Sequence, residues 1–131
     1  MEFHLQPGMT NEMEFLVTKN DATDHFGAGF PVFATPVMIN WMEQTSLKLC
    51  QQVLPKGYDT VGTFVNVKHL AATPVGMKVR VIAEIEEVNG KMLTFKVKAY
   101  DEKTKIGEGT HGRAIIDVER FISKLKNPDK K

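Results

Sequence analysis

Three residues in this sequence could carry acid–base or anion-stabilising chemistry, the hydroxyl of Thr35, the carboxylate of Glu43 and the imidazole of His69. Glu43 is the only acid between residues 36 and 54, and Ile39 and Leu47 share its side of a helical repeat. Burying an unpaired carboxylate is costly, so such a group is expected either to find a partner or to serve in acid–base chemistry. Otherwise it is an exposed helix residue beside Gln44. His69 follows Val65 and Val67 on one face of a strand, which aims its ring at the helix. There it either completes a core or moves protons, since imidazole titrates near neutral pH. Thr35 is of the type favoured at a helix N-cap, and Pro36 suits the position after it, so capping alone accounts for both. Helix N-termini also present free N–H groups that favour developing negative charge, such as a thioester oxyanion. Eight residues of α-helix span ~12 Å, so Thr35 and Glu43 cannot touch on one regular helix. They must flank a substrate or communicate through His69.

The elements that position these groups follow from periodicity. Residues 12–18 form a first strand with partial alternation, and residues 19–34, with Asn20-Asp21 and several glycines, a loop. A helix over about 36–54 is apolar round most of its girth at Val37, Met38, Ile39, Trp41, Met42, Leu47, Leu49, Val53 and Leu54, so it is buried. Pro55 and Gly57 stop it. The rest is strand. In 61–70, Val61, Thr63, Val65, Val67 and His69 share one face and Gly62, Phe64, Asn66, Lys68 and Leu70 the other. In 77–88, Met77, Val79, Val81, Ala83 and Ile85 alternate with charged residues. Asn89-Gly90 predicts a type I′ hairpin into a strand over 91–101. A last strand over about 105–119 contains Gly107, Gly109 and Gly112, which suggest bulges or close backbone approach. The order of elements implies an α+β domain, one antiparallel sheet wrapped round one long buried helix.

Composition narrows the class. The chain has 131 residues, enough for one domain spanning 1–131 with its own core, and 42% hydrophobic against 25% charged residues is ordinary for a soluble protein. A formal net charge of +1 gives no basis for nucleic-acid or membrane partners. The single cysteine, Cys50, cannot close an intramolecular disulfide, which suits a reducing cytoplasm, and Met1 to Pro7 lacks the pattern of a signal peptide. The uncharged stretch from Phe26 to Met42 is broken by Pro31 and Pro36 and falls short of the ~20 apolar residues of a spanning helix. No metal is expected, because His4, His25, His69 and His111 lack ligand spacing and Cys50 lacks a partner. No cofactor is expected either, since no phosphate-cradling glycine pattern occurs.

Four pieces of the chain together resemble the fluoroacetyl-CoA thioesterase family. These are Val32-Phe33-Ala34-Thr35 through Glu43, Gly62, His69-Leu70-Ala71-Ala72-Thr73-Pro74, and Gly107-Glu108-Gly109-Thr110-His111-Gly112-Arg113-Ala114. The likeness runs from about residue 30 to 125 with the spacing among the pieces kept. It implies a hot-dog fold, a homodimer, and hydrolysis of an acyl-CoA thioester by a threonine, a glutamate and a histidine at Thr35, Glu43 and His69. By the same resemblance Gly62 is a backbone donor to the substrate, Arg113 borders the site, and Phe33 contacts the substrate. The chain departs from the family in the segment before the threonine. There the family carries a phenylalanine-bearing lid that helps select fluorine, and this chain has the shorter, glycine-bearing Phe26-Gly27-Ala28-Gly29-Phe30-Pro31.

The expected activity is hydrolysis of a short-chain acyl-CoA, fluoroacetyl-like groups among the candidates, to the free acid and CoA. The rival reading is a non-catalytic acyl-CoA or small-ligand binding module on the same fold, which has no need of Glu43. A hot-dog hydratase is a weaker rival, because the pattern around Glu43 and His69 does not resemble that branch. The strand over 61–70, uncharged until Lys68, is the expected pairing edge of a homodimer. Residues 120–131 read as a basic tail, with Lys124, Lys126, Lys130 and Lys131 as a solvated end and contact with CoA phosphates as the alternative.

Overall fold

The computed structural model describes residues 3–129. Its strands are β1 (Thr10–Leu16), β2 (Ala22–Thr23), β3 (Val32–Phe33), β4 (Tyr58–His69), β5 (Lys78–Asn89), β6 (Met92–Tyr100) and β7 (Lys105–Asp117). Its α-helices are α1 (Thr35–Val53) and α2 (Val118–Lys126), and one 3-10 turn spans Lys19–Asp21. Five strands make one antiparallel sheet in the order β1-β5-β6-β7-β4, and β2 pairs with β3 in a separate two-residue ladder. The sheet curls round α1, the expected hot-dog arrangement.

Alternation in the sequence becomes the core directly. Val79, Val81, Ala83 and Ile85 of β5 face Leu93, Phe95, Val97 and Ala99 of β6, and all eight are buried beneath α1. From the helix come Met38, Trp41, Met42, Leu49 and Cys50. Thr45 and Ser46 are buried with them at no polar cost, because their hydroxyls donate to the carbonyls of Trp41 (2.7 Å) and Met42 (2.9 Å) one turn back. Gly107 lies where β7 passes closest to the helix; a Cβ there would meet Met38 Sδ at 2.5 Å. No helix among the described residues is long and apolar enough to cross a membrane.

The two edges of the sheet differ. β1 is short and carries exposed acids ion-paired with the next strand, Glu12 with Arg80 (3.3 Å) and Glu14 with Lys78 (3.8 Å). β4 is 12 residues long and exposes Phe64 (45%) and Val65 (39%).

Four expectations need correction. Thr35 is not the N-cap of α1: Ala34 takes that place with extended backbone, and Thr35 is the first helical residue. The hairpin after β5 has Gly90 (φ 63°) and Lys91 at its centre, with Asn89 paired to Met92. Only the first central residue has positive φ, which is the II′ pattern rather than I′. Simple alternation along 61–70 fails because β4 is bulged between Gly62 and Phe64. The extra residue shifts the face, so Thr60 and Gly62 before it and Val65, Val67 and His69 after it all point toward α1. The basic tail begins as a helix: Asp117 caps α2 by accepting the Arg120 N–H (3.2 Å). Phe121 is half-buried, and Lys124 and Lys126 stand exposed in the last turn, where the helix dipole favours cations. Lys130 and Lys131 lie outside the described residues.

Candidate active site

The start of α1 meets the end of β4. Thr35 Oγ1 lies 2.7 Å from His69 Nδ1. Since Ala34 is the cap, the threonine hydroxyl is free for this bond, and capping no longer accounts for the residue. Val37 and Met38 donate to the Ala34 carbonyl and Pro36 has no N–H, so the Thr35 N–H is the one donor left free in the first turn. The helix start thus offers one N–H to an oxyanion, not the several expected from a helix N-terminus.

His69 is half-buried, and among the described residues its Nε2 has no hydrogen-bond partner. Burial holds the imidazole below its ordinary range, opposed in part by the backbone of Ala71. Leaving a buried ring nitrogen unsatisfied costs about 1–3 kcal/mol. A neutral imidazole with a free nitrogen is what proton transfer needs. Phe33 fixes the ring from the side, edge-on at 6.0 Å between centroids and 77° between planes. Phe33 in turn stacks on Trp41 (4.7 Å), and Trp41 on Phe15 (4.4 Å). The aromatic ladder runs from β1 across the helix to the imidazole. Beside it opens a cavity of about 340 Å³ lined by Thr23, His25, Val32, Phe33, Thr35, His69, Leu70, Ala71 and Ala72. Phe26 and Phe30 of the short loop stand exposed instead of closing over the cavity. A groove of about 370 Å³ on the opposite face of the sheet, between Asn66, Lys68, Lys96, Lys98 and Thr110, holds none of the acyl-transfer residues.

Glu43 sits elsewhere. It is half-buried on the flank of α1, and among the described residues its carboxylate has neither a hydrogen bond nor an ion pair. Its neighbour is Gly62: a Cβ at that glycine would come 3.1 Å from Glu43 Oε2 and 3.6 Å from Arg113 Nη1. Arg113 is buried and bonded through all three of its nitrogens, donating from Nε to Thr60 Oγ1 (2.7 Å), from Nη2 to the Thr60 carbonyl (3.1 Å) and from Nη1 to His111 Nε2 (3.0 Å). Cys50 lies near them, but burial pushes its thiol up to about 11, so it stays protonated and plays no nucleophilic part.

The six residues singled out in the sequence therefore fall into two groups. Thr35, His69 and Phe33 form one end; Glu43, Gly62 and Arg113 form the other. Thr35 and Glu43 are ~12 Å apart along the helix, and Gly62 and His69 about 20 Å apart along the bulged strand. Sequence reasoning missed His111 and Thr60 as parts of the site. The signal for His111 was available: in β7, residues 107, 109, 111, 113 and 115 alternate onto the face that carries Arg113.

The family model described as fluoroacetyl-CoA-specific thioesterase matches residues 17–119. The fluoroacetyl-CoA thioesterase of Streptantibioticus cattleyicolor is 42% identical over 100 residues, 76% of this chain and 72% of that protein. A crystal structure of a variant of a fluoroacetyl-CoA-specific thioesterase, in complex with fluoroacetate and CoA, superposes with a TM-score of 0.81 at 34% identity, covering 89% of this chain and 99% of that one. A hot-dog-like protein from Thermanaerovibrio acidaminovorans shares the fold, with a TM-score of 0.88 at 19% identity over 98% and 97% of the two chains.

Proposed function

The chain belongs to the fluoroacetyl-CoA-specific thioesterase family, and we propose that it hydrolyses a short acyl-CoA with Thr35, Glu43 and His69 as its working side chains. That it is a thioester hydrolase acting on acyl-CoA follows from the family. The residue roles, the short acyl group and the assembly are our reading. The observation that carries it is the Thr35–His69 bond beside an open cavity, with the other imidazole nitrogen left without a partner.

The separation of the two groups is answered by a second copy of the chain. β4 is an uncharged edge over most of its length, with Phe64 and Val65 exposed near its middle. Long apolar edges are normally paired or covered. Antiparallel pairing of β4 with its copy, centred near Val65 and Asn66, sets Gly62 and Glu43 of one protomer beside Thr35 and His69 of the partner subunit. Two equivalent sites then lie across one two-fold axis.

In such a site the acyl group enters the cavity beside Phe33, and the thioester carbonyl lies between the Thr35 hydroxyl and the Gly62 backbone. Glu43 supplies the carboxylate that drives hydrolysis. In the direct route Glu43 draws a proton from a water whose oxygen bonds the carbonyl carbon, the C–S bond breaks, and that proton passes through His69 to the departing CoA sulfur. In the covalent route Glu43 bonds the carbonyl carbon as the thiolate leaves, and water then opens the mixed anhydride and supplies the sulfur's proton. In ¹⁸O-water, a single turnover that labels Glu43 and leaves the acid unlabelled marks attack by the carboxylate through a mixed anhydride opened at the glutamyl carbon. We place it in the cytoplasm, whose reducing conditions suit the single buried, unpaired Cys50. The reading is tested with purified protein and a panel from acetyl-CoA to hexanoyl-CoA, with fluoroacetyl-CoA, following free CoA with a thiol reagent. Binding without release across the panel would return the binding module to first place.

A further inference from the structure

Behind Glu43 stands a buried arginine that does not pair with it, and the reason lies in His111. Resting on the reading of Glu43 as the acting carboxylate, we propose that His111 is a positioning residue: by accepting a hydrogen bond from Arg113 Nη1 it holds the guanidinium on Thr60 and off Glu43. The hydrogen bonds fix the tautomer. His111 Nδ1 lies 2.8 Å from the Phe64 carbonyl, which only accepts, so Nδ1 carries the hydrogen. In the neutral ring Nε2 is then an acceptor, and Arg113 Nη1 donates to it at 3.0 Å. Thr60 takes the other two bonds of the fork.

Without that acceptor the guanidinium has one obvious destination. Glu43 Oε2 and Arg113 Nη1 approach the same point above Gly62. An arginine–carboxylate pair is among the strongest side-chain contacts. Formed here, it would tie up the charge that Glu43 has to offer. The other groups facing Arg113 do not compete: Cys50 of α1 is a protonated thiol, and Asp59 of β4 accepts from the Thr60 N–H (2.7 Å) and Gln51 (3.1 Å). From β6 come Leu93, paired with Arg113, and Phe95, paired with His111 with the two rings 6.4 Å apart; neither side chain accepts a hydrogen bond. Burial above all, with the nearby Arg113 charge, holds His111 below the ordinary histidine range, so Nε2 keeps its lone pair near neutral pH. The Phe64 carbonyl it grips belongs to the bulge that brings Gly62 and His69 onto one face.

The test is a cycle of His111→Leu, Arg113→Met and the double variant, with His111→Gln alongside, read as kcat and KM on a short acyl-CoA together with melting temperatures. His111→Leu is expected to lose roughly tenfold or more in kcat with KM changed less than about threefold. His111→Gln, whose amide reproduces both the donor and the acceptor, stays within about threefold of wild type. On top of Arg113→Met, His111→Leu costs no more than about a further twofold, because it acts through the arginine. Additive losses, or a Gln variant as slow as Leu, overturn the proposal. If His111→Leu does not fold, ¹⁵N NMR of the wild-type ring decides: an unprotonated Nε2 supports it and a protonated Nε2 overturns it. Glu43→Gln at wild-type turnover would overturn the carboxylate's role itself, whereas additive losses in a protein that needs Glu43 overturn only that of His111.

Discussion

The imidazole end of the site and the carboxylate end are built on opposite plans. At the first, Thr35 and His69 share one hydrogen bond, a ring nitrogen is unsatisfied, and a cavity opens beside them. At the second, Arg113 donates to Thr60 and His111, His111 donates to the Phe64 carbonyl, and the open group is the Glu43 carboxylate in front of them. Each end leaves one polar group free and holds the rest. The free groups are complementary, a proton carrier and an anion, yet in one protomer they lie too far apart to meet. In the proposed dimer they meet across the two-fold axis.

The largest expected effect falls on the carboxylate end. Glu43→Gln keeps shape and removes the charge; turnover should fall about 10²–10⁴-fold, ~3–5 kcal/mol of barrier, with little change in melting temperature. Rate assays beside thermal melts check it, and near wild-type turnover would leave the two ends unequal in importance. At the imidazole end, His69→Ala should cost roughly 10²-fold, and the lost packing against Phe33 should lower the melting temperature as well. Mixing these two inactive variants and letting subunits exchange sharpens the comparison. If the ends meet across the two-fold, random exchange restores about a quarter of wild-type activity, from the one intact site in each mixed dimer. No recovery, with mixed dimers present, would put both ends in one protomer.

Charge on the linking strand separates the ends. Val65→Lys should give a protein that light scattering finds at 14.7 kDa, half the mass of the proposed dimer, and turnover should fall with it. Glu14→Gln on the opposite edge should leave assembly unchanged and stability within about 0.5 kcal/mol, since its ion pair is exposed. Thr35→Ala should slow turnover about tenfold through loss of the hydroxyl that holds His69, and Thr35→Ser should be mild. The smallest effect is in pH. His69 and His111 both sit below the ordinary 6.5, so the unfolded chain takes up protons that the folded one refuses. Stability is therefore full above about pH 6.5 and declines as pH falls below it toward the folded values. Melting curves from pH 7.5 to 5 should show this slope, and His111→Gln should make it shallower.

Local chemistry made much of this molecule legible in its sequence. Alternation in 77–85 and 91–101 located β5, β6 and their buried faces, because side chains on a strand alternate wherever no bulge intervenes. Pro36 and Pro55 bracketed α1, because proline suits the first turn and restrains the residue before it. The reactive types at Thr35, Glu43 and His69 could also be read, since hydroxyl, carboxylate and imidazole differ in what they can exchange. What the sequence lacked was everything decided by a partner far along the chain. The bulge at Thr63 depends on the register β4 adopts against β7, and it alone puts Gly62 on the same face as His69. Thr35 became a ligand of the imidazole instead of a cap because Ala34 is held in extended backbone, its N–H on the Asp21 carbonyl. The freedom of Glu43 rests on hydrogen bonds that join β4 to β7 through Arg113 and His111. A hydrogen bond between distant residues is set by the packing that brings them together, and that packing exists only once the chain has folded.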